Sequence, residues 1–407
     1  MEKKEYLKRL ALKTIADCSF IKQADYRYAK GEQTLLLPSG DEKYYSFWVR
    51  DCAMMAESGL LDDADLRRYI EIIAGNGQNG ENPLFLANGL TVPPYAIADH
   101  INYNGKPVFF PGTYEDGNDQ GNGTFGFFPP FCDNYYFINM VDSYLKQSGD
   151  TDILSREYDG LPLLFRLEKS FEGYNIHESG LCESDEKAFT VDWGFTDSIQ
   201  KTGLLLMASL LRYRSAVSLS NFFPTDSPKR SYYQAKATTI RNAVKEVFYD
   251  KNSGWLYSAT GVCRQHDVWA TAFAVYLGIL NEEKTYQALK KGYLQATAVQ
   301  DGYIRPILTN EDFDEHTSWE RTCLPKNYYY QNGAYWATAT GWYAKALYEY
   351  DRTCAIGILQ DFIRHTEKHL SIGAPFEWMN KDTSEFSGLR YGTSGVLPYT
   401  AFKDVEL

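Results

Sequence analysis

Long apolar runs are absent from this chain of 407 residues, and no stretch approaches the roughly 20 apolar residues that a membrane-spanning helix needs. The opening MEKKEYLKRLALKTIADCSF lacks the apolar core of a secretion signal and reads as an amphipathic helix. The expected compartment is therefore the cytoplasm, although a secreted or periplasmic protein stripped of its signal would read the same. Cysteine is sparse and unpatterned: seven residues, an odd number with no CxxC spacing, imply reduced thiols and exclude a disulfide framework or a zinc site. Basic excess is missing too. With 41 Lys and Arg against 53 Asp and Glu the net charge is −12, and no basic patch carries interleaved aromatics, which excludes nucleic acid and anionic membrane as partners. No Pro/Ser-rich linker, charge block or low-complexity segment divides the chain, so 1–407 reads as a single domain.

Aromatic residues are plentiful. They make up 15% of the chain and include 32 tyrosines, a composition suited to sugar, whose rings offer apolar C–H faces to aromatic planes and hydroxyls to polar tips. Helical periodicity runs through the chain in two alternating kinds. Amphipathic segments with a charged face span Glu5 to Cys18, Leu66 to Ala74, Leu163 to Phe171, Tyr232 to Phe248, Glu283 to Leu294 and Cys354 to Leu370. Segments apolar or small nearly all round span Cys52 to Ser58, Tyr135 to Tyr144, Ile199 to Leu211, Val268 to Leu280, Trp336 to Leu347 and Val396 to Phe402. Helices apolar on every side belong inside a domain. Outer, inner, outer, inner, about twelve in all, predicts six helical hairpins closed into an (α/α)6 barrel, an all-α fold with the inner helices lining a funnel. One segment, 75–131, is too long for a plain loop. Its INYNGKPVFF has Asn104-Gly105 between extended stretches, a hairpin signal, and reads as an insertion over the funnel mouth that shapes a pocket.

Polar and aromatic clusters precede the inner helices. YYSFWVRDCAMM carries Trp48, Arg50 and Asp51; FTVDWGFTDSIQ carries Asp192, Trp193 and Asp197; CRQHDVWATAF carries His266 and Asp267. YYYQNGAYWATATGW carries Gln331, Asn332 and Trp336, and the last cluster carries Glu377, Trp378, Arg390, Tyr391 and Ser394. Singly, each residue reads equally well as a helix cap or loop residue; Asp267 reads as the cap of its helix. Trp255 and Trp342, within or beside helices, read as core, whereas Trp48, Trp193, Trp336 and Trp378 read as sugar platforms. Asp192 and Asp197 come before the third inner helix and Glu377 before the sixth, which are opposed in a ring of six. Glycoside hydrolysis with inversion needs such an arrangement: an acid protonates the leaving oxygen and a carboxylate opposite, roughly 6.5–9.5 Å away, activates water.

These stretches carry a resemblance. The alternating helices, DWGFTDSIQ and the late PFEWMN and YGTSG stretches look like the six-hairpin glycosidases, which include trehalase, processing α-glucosidase, α-L-rhamnosidase and the disaccharide phosphorylases. DWGFTDSIQ is similar to the Asp-Trp-Asn-Asp-Gly-Met-Asn motif of cellobiose-phosphorylase-like members with two residues inserted, which implies Asp197 as acid and leaves Asp192 as a supporting or alternative carboxylate. FEWMNKDTSEFSGLRYGTSG resembles the Glu-Asn-Tyr-Asn motif of processing α-glucosidases and implies Glu377 as base, with Trp378 and Met379 in place of the family's Asn and Tyr. FWVRDCAMM is similar to the Arg-Asp stretch that grips a sugar, which implies Arg50 and Asp51 as binders of the terminal sugar.

The reading that results is an exo-acting, inverting glycoside hydrolase taking a small carbohydrate, with an α-glucoside first in order by analogy of fold. Trp48, Trp193, His266, Gln331, Asn332, Trp336, Trp378 and Tyr391 are its further substrate-binding candidates. Glu320, in HTSWERTC, is the rival base, its alternative role being an ion pair with Arg321 or Arg305. No cofactor or metal is expected: His365 and His369 have i, i+4 spacing without a third ligand, and the calcium-like DGNDQGNGTFGF has Phe127 where a bidentate Glu belongs. Three other functions stay open. A sugar epimerase needs two histidines, of which only His266 stands near a funnel mouth; a disaccharide phosphorylase needs no base; a noncatalytic sugar-binding barrel would tolerate loss of either carboxylate.

Overall fold

Apolar periodicity becomes helix almost wherever the sequence carries it. The structure, a computed structural model, describes residues 2–382 and 385–407. Among them the longer charged-face helices are α1 (Lys3–Asp17), α3 (Asp63–Ile72), α5 (Leu163–Glu172), α7 (Pro228–Phe248), α9 (Glu283–Leu294) and α11 (Arg352–His369). Alternating with them come the buried α2 (Val49–Ala56), α4 (Phe131–Ser148), α6 (Leu206–Asn221), α8 (Val268–Tyr276), α10 (Thr340–Tyr348) and α12 (Gly392–Thr400). Caps set several ends. Asp62 accepts from the Ala64 N–H at 2.8 Å to open α3, Asp267 from Ala270 at 2.8 Å to open α8, and Asp351 from Cys354 at 3.0 Å to open α11. Gly149, at φ +71°, closes α4 in the left-handed conformation.

Two compact units make up the chain. One comprises Met1–Ser19, Leu37–Tyr44 and Lys245–Leu407, the other Phe20–Leu36 and Tyr45–Val244. In the first, α10 packs on α8, α9, α11 and α12, and α12 lies against α1. Small residues permit that approach: a Cβ on Gly395 of α12 would collide with Thr14 of α1, and one on Gly341 of α10 would sit 2.5 Å from the Leu397 carbonyl. In the second unit α4 packs between α2 and α6, with α3 and α5 on its other sides.

The boundaries differ most where loops take over the ends of inner helices. The third inner helix begins at Leu206 rather than Ile199, because Gly203, at φ +76°, starts a strand Gly203–Leu205 that pairs antiparallel with Cys182–Ser184. The fifth begins at Thr340, after a 3-10 turn Ala337–Ala339, and the sixth at Gly392, four residues before the expected start. Within 75–131, His100–Ile101 pairs antiparallel with Pro107–Val108. Gly105, at φ +83°, gives the connecting turn its left-handed residue. Phe47–Trp48 adds a third strand to this hairpin and carries the chain directly into α2.

Candidate active site

Buried carboxyl groups occur in both units, among them Asp51, Asp99 and Asp133 in one and Glu377 in the other. In the unit containing α2, α4 and α6 the centre is Arg50, in the first turn of α2. Its guanidinium lies 3.1 Å from Asp99 and 3.6 Å from Asp51. Asp133, in the first turn of α4, is 3.7 Å away, too far for a hydrogen bond. Burial works against the Arg50 charge, but Asp99, Asp51 and Asp133 outweigh it and hold the guanidinium protonated well above its ordinary value. Burial also opposes ionisation of Asp99, yet hydrogen bonds from His100 and Arg50 and their charges hold its carboxyl below the usual range. Asp133 goes the other way: burial first, then the charges of Asp99 and Asp51, push it well above the carboxylate range against the pull of Arg50. One guanidinium holds the nearer carboxyl group down, while the farther one is pushed up.

The hairpin of the insertion supplies His100, whose Nδ1 bonds Asp99 at 2.8 Å and whose ring stacks on Trp48 with centroids 4.3 Å apart. The DWGFTD segment meets this cluster as well. Phe195 lies under Arg50, 5.3 Å from guanidinium carbon to ring centroid, and a Cβ on Gly194 would collide with the guanidinium. Trp193 is buried against Phe195.

The two aspartates of that segment part company. Asp192 is 1% exposed; its Oδ1 accepts the Ala208 N–H at 2.7 Å, capping α6, and its Oδ2 lies 2.8 Å from the buried Lys201 ammonium. Asp197 follows the 3-10 turn Gly194–Thr196 and is half-buried.

In the other unit the centre is Glu377, 1% exposed, just ahead of the strand Trp378–Met379. Its backbone N–H donates to Ser387 and Gly388, at 2.8 and 3.0 Å, and a Cβ on Gly388 would strike the Glu377 side chain. The Lys43 ammonium lies 3.1 Å from Oε2, and the Tyr44 hydroxyl donates to Oε1. Burial, followed by the charge of Glu377, pushes the Tyr44 hydroxyl well above its ordinary value and keeps it a donor. Aromatic rings connect outward from this carboxylate. Tyr44 meets Tyr391 at 6.0 Å, Tyr391 meets Trp336 at 6.5 Å, and Tyr330 touches both Trp336 and Trp378, at 5.2 and 6.5 Å.

The structure thus brings Trp48, Arg50, Asp51 and Trp193 to one cluster, and Glu377, Trp336, Trp378 and Tyr391 to the other. Gln331 is buried two residues before Gly333, in the loop leading to Trp336. Other candidates are held elsewhere. Asn332 serves its own loop, its Oδ1 accepting from the Ser318 N–H at 2.9 Å and its Nδ2 donating to Lys326 at 3.0 Å. Glu320 is exposed and accepts the Cys263 N–H at 2.8 Å, while Arg305 pairs with Asp312. His266 is clamped, with Nδ1 2.6 Å from Glu311, Nε2 3.2 Å from Asp250, and its ring stacked on Tyr257. No group of three His, Cys, Asp or Glu among the described residues could hold a metal ion, and no helix there is long and apolar enough to cross a membrane.

Lys43, Tyr44, Asp99, His100, Tyr330 and Asp133 escaped the sequence reading. Asp133 had a signal, because in PPFCDNYY it occupies the first turn of an inner helix as Asp51 does in α2. Lys43 and Tyr44 had none beyond nearness to Trp48 in sequence.

No protein-family model matches the sequence, and no curated protein sequence matches it. Solved structures do. A rhamnosidase from Klebsiella oxytoca with rhamnose bound is similar over 98% of this chain at 11% identity and a TM-score of 0.57, the chain spanning 63% of that protein. A GH78 rhamnosidase of a Bacillus species is similar with a TM-score of 0.59 at 11% identity over 99% of this chain, which spans 34% of its length. A GH63 mannosylglycerate hydrolase from Thermus thermophilus in complex with glucose matches 97% of this chain and 99% of its own at 10% identity, with a TM-score of 0.58. A sugar epimerase from a ruminal bacterium matches at 12% identity over 98% of this chain and 97% of its own, with a TM-score of 0.56. These neighbours are (α/α)6-barrel enzymes, and the chain has the fold of the six-hairpin glycosidases.

Proposed function

We propose that the protein is a glycoside hydrolase that removes a terminal sugar from a small oligosaccharide with inversion. The observation that carries this reading is the setting of Glu377, a buried carboxylate held by an ammonium and a phenol among aromatic rings. Both donors favour its ionised form, as a base that activates water requires. Asp197 is the acid in this proposal. Asp192 has both oxygens engaged, by a helix N-terminus and by Lys201, whereas Asp197 keeps partial access to solvent.

The Arg50 cluster is the proposed grip on the terminal sugar. It combines a guanidinium donor with the carboxyl groups of Asp99, Asp51 and Asp133, a set able to bond several hydroxyls of one ring. An α-glucoside is the first substrate to try, since glucose is bound in the GH63 neighbour, and an α-rhamnoside the second. The clamped His266 speaks against the epimerase reading, because its two ring nitrogens already face carboxylates.

The test is incubation with α- and β-linked disaccharides and aryl glycosides, with and without phosphate, following the first-formed anomer by NMR. Phosphate-independent release with inverted configuration is expected, and it should fall about 10²- to 10⁴-fold in separate Asp197→Asn and Glu377→Gln variants that still bind sugar. Isomerisation without release, or near-normal rates in both variants, would sink the assignment.

A further inference from the structure

A cavity lies in the unit of Glu377, on residues the proposed hydrolysis does not use. It has a volume of about 300 Å³ and is walled by the loop after α7, the C-terminal half of α9 and the segment 297–311. Its wall carries the side chains of Asn252, Lys291, Gln295, Thr297 and Asn310. None of these five hydrogen-bonds another described residue through its side chain, although the rest of the molecule is densely cross-bonded. Trp255, 5% exposed, adds an aromatic patch, and Leu308 closes the wall beside it.

We propose that this cavity is a second carbohydrate site, separate from the residues proposed for catalysis, that holds one neutral sugar unit. Each amide offers a donor and an acceptor and the Thr297 hydroxyl offers both, so the wall can answer vicinal hydroxyls whichever way these point. Trp255, nearly all buried, offers the wall only an apolar edge, so recognition rests on the polar groups. Charge selects against an acidic sugar: the Lys291 cation is balanced within the wall by Glu311, whose carboxylate also bonds His266. The volume accommodates one ring and falls at the small end of ligand pockets, so a single residue of a longer glycan would enter with the remainder outside. Such a site would keep a glycan substrate near the enzyme between cleavages, an effective-concentration effect that needs no contact with the reacting bond.

Binding is read at the cavity itself, so failure of this proposal and failure of the hydrolase reading give different results. Methyl α-glucoside, methyl α-rhamnoside and glucuronate are titrated into the full chain carrying Glu377→Gln. The reporter is the Trp255 indole N–H resonance, identified by its loss in Trp255→Phe. A saturable shift with a neutral glycoside is expected. It should weaken at least about tenfold in Asn252→Ala/Gln295→Ala/Asn310→Ala, a change in affinity and not in fold, because all three residues are exposed. The same triple substitution in the wild-type background should leave turnover of a small aryl glycoside unchanged. No shift with any sugar, a shift that survives the triple substitution, or a shift with glucuronate alone would overturn the proposal. Should the protein hydrolyse nothing, the titration still decides whether the cavity takes sugar.

Discussion

Asp192 and Glu377 are equally buried carboxylates, each paired with a lysine, and they have opposite characters. The partner of Asp192, Lys201, has a side chain only 1% exposed, and the second oxygen of Asp192 is fixed by the N-terminus of α6. The partner of Glu377, Lys43, is 41% exposed, and the other oxygen of Glu377 meets a phenol within an aromatic cluster. A sequestered pair, each carboxylate oxygen held by a buried donor, is built into the fold and cannot rearrange cheaply. A carboxylate whose cation stands partly in water can exchange that partner more cheaply.

The largest effect should come from Glu377→Gln, with steady-state turnover falling about 10²- to 10⁴-fold while the thermal midpoint stays near the wild-type value. Comparable loss of both would place Glu377 with Asp192 as a fold residue and erase the contrast. Next comes Asp192→Ala, which strands a buried ammonium and removes a helix cap. Urea unfolding should show about 3–5 kcal/mol of lost stability, with turnover per folded molecule little changed. Adding Lys201→Met should restore part of that stability, because the uncompensated charge is gone.

Tyr44→Phe sharpens the other side of the contrast. The substitution removes one hydrogen bond to the Glu377 carboxylate, and kcat/KM should fall about tenfold, in keeping with the loss of one charged hydrogen bond. An unchanged kcat/KM would mean that the phenol does not act on this carboxylate. The smallest effect is expected from Lys43→Met: no more than about fivefold in rate for a half-exposed pair, shrinking further as ionic strength rises and screens the wild-type contact.

The alternation of outer and inner helices was legible because burial leaves a periodic trace. VWATAFAVY in α8 is apolar on every face, whereas the charged face of KKEYLKRLALKTIAD in α1 is not. The start of α6 was not legible: LLLM reads as helix until Gly203 and the partner strand Cys182–Ser184 claim its first residues, a pairing at a distance of about twenty residues. The same limit applies to the site. Arg50, Asp51 and Glu377 stand in local clusters at helix entrances and so drew notice in the sequence, while Asp99 and His100 reach Arg50 only because a hairpin about fifty residues on adds to the strand Phe47–Trp48.

The sequence by itself determined the helix count and kind, the acidic and aromatic character, and the short list of carboxylates, because hydrophobic period and residue chemistry are local properties. Which carboxylate is closed in by a buried ammonium and which keeps partial solvent access was decided by the tertiary structure. Asp192 and Asp197 are the same letter, and only folding brings Lys201 and the first turn of α6 to the one and leaves the other half-buried. The same holds for Glu377, whose partners Lys43 and Tyr44 lie more than three hundred positions away in the chain. An ionisable group takes its character from whatever charge, donor and solvent lie within a few ångströms, and those neighbours are set by the path of the chain through space.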